Sequence, residues 1–259
     1  MVGALEAGQQ LRVSASTKKP ESKLRHAGES IIVWVVQTVG ATLPRPWCSA
    51  IGGIMAERLG PRTGRSRIAR ENLARVLPEI DAVEREALIR RMWGNFGRAV
   101  FETPHLRKIP VGAPDCAIVG GEALKAAAGG PTLIFGAHFG NWSAPALAAV
   151  WAGHKDVSLV YRRANNPAID RCIIRIYGWL GVKIIHKGAA GARDIMAALK
   201  RGGTVFMLMD QKMNDGVPAP FFGKPAMTAP AIGQLAARFD CPVFPIHGVR
   251  RKTKAGRWT

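Results

Sequence analysis

The sequence predicts an α/β fold: a central, mostly parallel or mixed sheet flanked by helices, preceded by a helical N-terminal region that associates with a membrane. Three observations carry this reading. After about residue 115, short apolar runs alternate with helix-length segments, as in βαβ units. From Arg62 to Glu102, apolar residues recur at helical spacing. Near the start, an apolar run from Ile31 to Val36 is flanked by bases and tryptophan.

Taken in order, residues 1–26 are polar and weakly patterned, with Lys18, Lys19, Lys23 and Arg25 near their end, and are expected to form a disordered basic arm. Residues 27–60 are expected to form the membrane-associating helical region. Its apolar core continues more softly to Leu43, where Pro44 and Pro46 close it. It is shorter than the ~20 residues a spanning helix needs. It also starts too late, and lacks the small-residue cleavage site, for a signal peptide. The flanking bases, Trp34 and Trp47 favour an interfacial or shallow anchor over a buried core helix, while spanning and lying flat are not separated by the sequence.

Two helices follow. Leu73, Val76 and Leu77 belong to the first, Leu88, Met92, Trp93 and Phe96 to the second, with Pro78 and Glu79 at the break. Arg62, Arg65, Arg67, Arg70 and Arg75 make the first strongly basic, which is either a solvated face or a contact for lipid phosphates or an acidic carrier protein. Strands are then expected at residues 131–137, 157–161, 182–186, 203–209 and 242–249, and helices at 141–152, 167–180, 189–201 and 228–239.

Composition narrows the partners. With 37 Lys and Arg against 18 Asp and Glu, the chain carries a formal net charge of +19 and favours polyanions. It has no zinc-ligand spacing, ribonucleoprotein motif or basic zipper, and only 7% aromatic residues, so no nucleic-acid partner is expected. An anionic membrane surface is favoured instead. No G-x-G-x-x-G or Walker loop occurs in the right context, so no nucleotide cofactor is expected. Cys48, Cys116, Cys172 and Cys241 form no C-x-x-C pair, which predicts reduced thiols and no metal site.

Ligands of a parallel sheet bind beyond the carboxyl ends of its strands. The run Thr132 to Ala137 leads into His138, Val157 to Tyr161 into Arg162 and Arg163, and Thr204 to Met209 into Asp210 and Gln211. If these strands are parallel neighbours, a His, an Arg and an Asp meet in one crevice. Gly140 permits close backbone approach or an unusual dihedral, and Asn141 is placed to cap the next helix.

The ordered series His138-Phe139-Gly140-Asn141-Trp142, Tyr161-Arg162, Asn166-Pro167, Asp210-Gln211, Phe221-Phe222-Gly223, Pro225-Ala226, Thr228, Pro242-Val243 and Pro245 resembles the lipid A biosynthesis lauroyl/myristoyl acyltransferase family. Asn72-Leu73, Pro78-Glu79, Trp93, Asn95, Gly97, Arg98 and Glu102 extend the likeness into the helical part. The resemblance implies a glycerolipid-acyltransferase-like domain over residues 61–259. It also implies transfer of an acyl chain from acyl carrier protein to the hydroxyl of a hydroxyacyl chain on a lipid A precursor. The site would lie at the cytoplasmic face of the cell inner membrane, with no cofactor. His138 would be the general base, and Arg162 would steady the oxyanion or bind acceptor phosphate. Gly140, Asn141, Trp142, Asn166, Gln211, Phe222, Gly223 and Thr228 would contact substrate.

Two departures from the family pattern stand out. The signature H-x4-D/E has Ser143 where the acid belongs, so the imidazole partner is expected to be Ser143 itself, or a carboxylate from Asp210 or Asp170. The final residues, Ala255 to Thr259, read as a turn and the start of a return strand, as if the domain were truncated. These departures motivate two alternatives: an impaired homologue that binds lipid or carrier protein, and an acyltransferase for another glycolipid.

Overall fold

The computed structural model describes residues 23–251, except 110 and 112–115. The arm expected before residue 23 and the turn and return strand expected after residue 254 lie outside the described residues. Lys23 and Arg25, expected in the arm, already belong to helix α1 (Lys23–Thr42), where Arg25 pairs with Glu29 one turn on at 2.9 Å.

Four helices make up the N-terminal part: α1, α2 (Arg45–Leu59), α3 (Gly64–Val76) and α4 (Ala82–Phe101). Asp81 caps α4 by accepting from the Glu84 N–H at 2.8 Å. Helices α2 and α4 meet backbone to backbone. A Cβ on Gly52 would lie 2.5 Å from the Gly97 carbonyl oxygen, and one on Gly97 would lie 2.1 Å from that of Gly52. Only glycine permits this approach, and it seats α4 firmly against α2.

One side of α1 is tied down by Gln37, which donates to Thr103 at 2.7 Å, and by Asn166, which donates to the His26 carbonyl at 2.9 Å. The other side exposes Ile31, Ile32 and Trp34, each more than 60% accessible, and α2 adds Trp47 and Leu59. No helix among the described residues is long and apolar enough to cross a membrane.

The core is a five-stranded sheet in the order β3-β2-β4-β1-β7, formed by β1 (Thr132–Gly136), β2 (Val157–Tyr161), β3 (Val182–His186), β4 (Thr204–Leu208) and β7 (Val243–Pro245). Every pairing in it is parallel. Ile134 and Phe206 point to one face, against α6 (Ala144–Trp151), α7 (Pro167–Trp179) and the short α5 (Gly121–Ala126). Leu133 and Val205 point to the other, against α8 (Ala189–Lys200) and α9 (Ala231–Phe239). All four of these strand residues are fully buried, and each such side chain contributes roughly 1.5–3 kcal/mol.

The expected strands and helices of the α/β part are present with ends that agree or differ by at most three residues, apart from β7. There, Pro245 lacks an N–H, and the ladder ends after Ile246 donates to the Phe135 carbonyl at 2.9 Å. The sequence reading lacks α5, too short to show a period, and the antiparallel hairpin of β5 (Val217–Phe221) and β6 (Lys224–Thr228). Pro218 and Pro220 in β5 hide that strand, because proline suits only edge positions.

Candidate active site

Strands β1 and β4 are neighbours, but the chain leaves them in opposite directions. After β1 it enters α6 on one face; after β4 it passes through the hairpin to α9 on the other. A crevice opens where such connections diverge. His138 and Asp210 stand on its two lips. The imidazole Nδ1 lies 2.8 Å from Asp210 Oδ1, and the His138 backbone N–H donates to Oδ2 at 2.9 Å. With both carboxylate oxygens held, Nδ1 carries the proton and Nε2 is left as the basic atom.

Burial pushes the Asp210 carboxyl up, but the hydrogen bonds from the His138 ring and backbone N–H, with the imidazole charge, outweigh it and hold the group below the usual aspartate range. The pair is partly open to solvent, with side chains 39% and 36% accessible.

Ser143 takes no part in this contact, which corrects its expected place beside the imidazole. It is buried, and its Oγ lies 3.1 Å from the Tyr177 hydroxyl inside the core. Asp170 is likewise engaged elsewhere, accepting from the Ala164 N–H at 3.0 Å beside Arg163.

The loop between His138 and α6 is braced from behind. Gly140 has φ +60°, and a Cβ there would lie 1.9 Å from the Gly248 carbonyl oxygen, so both its dihedral and its surroundings require glycine. Asn95 donates to the Gly140 carbonyl at 3.2 Å, and Asn141 donates to Glu102 Oε2 at 3.2 Å. Asn141 Oδ1 also accepts from the Ser143 N–H at 3.1 Å, a turn closing directly before α6.

Glu102 is one end of a buried bidentate pair with Arg250, whose Nε donates to Asn95 at 3.3 Å. Asn95 and Arg98 of α4 and its C-cap residue Glu102 recur at three- and four-residue spacing and so lie on one side of the helix. The sequence reading treated Asn95 and Glu102 only as motif matches and did not single out Arg250. Nothing local links residues 148 positions apart.

The remaining expected site residues divide. Trp142 lies beside His138, with ring centroids 6.0 Å apart, and stacks on Phe96 of α4 at 5.6 Å. Arg162 is exposed at the carboxyl end of β2, the strand next to β4, so it shares the edge that carries His138 and Asp210. Gln211 follows Asp210 and is exposed. Asn166 is buried, caps α7 by accepting from the Ala168 N–H, and ties α7 to α1. Phe222 and Gly223 form the hairpin turn, with φ of +48° and +70°, and Phe222 is exposed there. Thr228 donates to the Ala226 carbonyl at 3.0 Å within β6.

A half-open crevice with a carboxylate-oriented imidazole suits proton abstraction from a hydroxyl in an acyl transfer. No curated protein sequence matches the chain. The family model for bacterial lipid A biosynthesis acyltransferases matches residues 16–259, taking in both lips of the crevice, the bracing network and the helices before them. The chain thus belongs to the bacterial lipid A biosynthesis acyltransferase family.

Proposed function

We propose that the protein moves a fatty acyl chain from acyl carrier protein to the hydroxyl of a hydroxyacyl chain on a lipid A precursor, working at the cytoplasmic face of the inner membrane. The observation that carries this reading is the contact between His138 and Asp210 at adjacent parallel strand ends. Nε2 of His138 takes the acceptor hydroxyl proton as the oxygen attacks the thioester carbonyl. Asp210 holds the tautomer and balances the imidazolium that forms. The tetrahedral intermediate then expels the carrier thiolate, which recovers the proton from His138. Arg162 is a cation at the same edge, suited by its planar fork to the oxyanion or to an acceptor phosphate.

The exposed apolar side of α1, with Trp34 and Trp47, supports a helix lying in the interface. Asp210 supplies the negative charge whose absence at Ser143 motivates the impaired-homologue alternative. The test is incubation of membranes containing the protein with acyl-carrier thioester and a hydroxyacylated lipid A precursor, read by mass spectrometry. A new secondary ester that disappears in His138→Ala is the expected result. Ester formation unaffected by that substitution overturns the mechanism, and no ester with any hydroxyacylated acceptor overturns the function.

A further inference from the structure

Behind Trp93 lies a cleft of about 360 Å³ lined by Glu57, Arg58, Pro61, Arg62, Arg70 and Arg90. Its acidic neighbourhood is already paired. Glu57 meets Arg98 at 3.4 Å, and Glu86 meets Arg70 through a two-pronged contact. Arg58, Arg62 and Arg90 make no ion pair with a carboxylate within 4.0 Å among the described residues, although the charge of Arg90 is felt by Glu86 and Arg62 donates to the Arg58 carbonyl. Three guanidiniums around one concavity, whose lining carboxylate Glu57 is already held by Arg98, form a site for an external anion.

A series of ring contacts runs from His138 toward the cleft as far as Trp93. Trp142 lies 6.0 Å from His138, Phe96 5.6 Å from Trp142, and Trp93 5.6 Å from Phe96, about 17 Å in all. Phe96 is 47% exposed and Trp93 and Trp142 are half-buried, so the series is partly open to solvent. Trp93 packs on Gly60, next to Pro61 and Arg62 of the cleft, and Arg90 sits one turn before Trp93 on α4. A ligand that suits this arrangement bears a phosphate at one end, a reactive carbonyl at the other and a slender arm between.

We propose that this cleft binds the phosphate that joins the acyl carrier protein to its prosthetic arm, with the arm laid over Trp93, Phe96 and Trp142 and the thioester delivered to His138. The inference rests on the carrier being the donor, as proposed above. An arm of about fourteen bonds from phosphate to thioester carbon spans about 16 Å when extended, at backbone-like rise per bond. The ring-centroid steps put Trp93, which borders the cleft through Gly60, no more than about 17 Å from His138, a separation comparable to that reach. The acidic surface of the carrier would then face the exposed side of α3 that carries Arg65 and Arg67, the latter paired with Glu71 at 2.7 Å. A lipid phosphate is the competing occupant, but an acceptor whose hydroxyl lies close to its sugar headgroup has no need of so long a path.

The test uses the full chain with Arg58, Arg62 and Arg90 each changed to Gln, singly and together, and exposed Arg91→Gln as control. Binding of phosphopantetheinylated carrier and steady-state transfer are measured separately. The expected result for the triple variant is roughly tenfold or greater weakening of carrier binding, and a matching rise in carrier KM. Acceptor KM and the KM for an acyl-pantetheine donor lacking the phosphate stay unchanged. Single variants should fall between, and Arg91→Gln should behave as wild type. Unchanged carrier affinity, or a rise confined to acceptor KM, overturns the proposal; the second result gives the cleft to a lipid phosphate. Carrier binding lost on substitution, in a wild-type protein that transfers nothing, supports the cleft and removes the proposed reaction.

Discussion

Replacing Asp210 by Asn removes one charge and little volume. In the folded protein Asp210 receives two hydrogen bonds from His138, one from the ring at 2.8 Å and one from the backbone at 2.9 Å. An asparagine oxygen retains one of them, and the backbone N–H is its natural donor. The ring then faces an amide N–H₂, which favours the tautomer with the proton on Nε2, the wrong nitrogen for a base.

A hydrogen bond to a charged group is worth about 1.5–3 kcal/mol. At about 1.4 kcal/mol per decade, its loss alone costs roughly 10- to 100-fold. Loss of tautomer control brings the serine-protease template to about 10⁴. Side chains here are 39% and 36% accessible, so water replaces part of the missing charge, and we expect kcat to fall about 10²- to 10³-fold with carrier KM little changed. The assay is ester formation at saturating donor and acceptor, alongside thermal unfolding.

The stability sign follows from the lowered carboxyl pKa. A carboxyl depressed by folding stabilises above its unfolded value and loses that contribution as pH falls through its folded value. The stability difference between wild type and Asp210→Asn should thus narrow below about pH 4. A variant with kcat within threefold of wild type would refute the assignment of Asp210 as partner to the base.

Three further outcomes are expected. Glu102→Ala strands Arg250 in a buried site, so it should cost about 3–5 kcal/mol in chemical denaturation, whereas double replacement of Glu102 and Arg250 by Gln and Met should cost less. Ile32→Lys with Trp34→Ser on the exposed side of α1 should weaken sedimentation with anionic vesicles by at least tenfold while leaving the thermal midpoint within about 2 °C, because both side chains are more than 60% accessible. Asp156 is held below the usual aspartate range by hydrogen bonds from Lys183 and Arg201, despite its burial, and its contribution should disappear as pH falls below about 4; the thermal midpoint of Asp156→Asn should approach that of wild type there and lie below it at pH 7.

The α/β architecture and the meeting of His138 with Asp210 were legible because both rest on local patterns. Each strand of the sheet is an apolar run that ends in a polar residue, and parallel pairing turns three such ends into one edge without further information. The support behind the loop was hidden for the opposite reason. Glu102 and Arg250 are far apart in the chain, and nothing beside Arg250 distinguishes it from the other bases of a chain with net charge +19.

Spacing alone does not place Ser143, one of the three partners the sequence offers for the imidazole. Five residues beyond His138 it stands at the start of α6, where its side chain enters the core toward Tyr177. That burial yields a physical consequence. Ser143→Glu, which restores the family acid, brings a carboxylate to a site 3% accessible, beside a tyrosine whose hydroxyl is pushed up by burial. Unless the loop shifts to bring the new carboxylate out to the imidazole, the charge is stranded. Because Asp210 already holds Nδ1, no vacancy at the imidazole draws it out. Restoring the family residue here should lower stability without raising kcat, and a gain in kcat would place the two acids in competition for the same ring nitrogen.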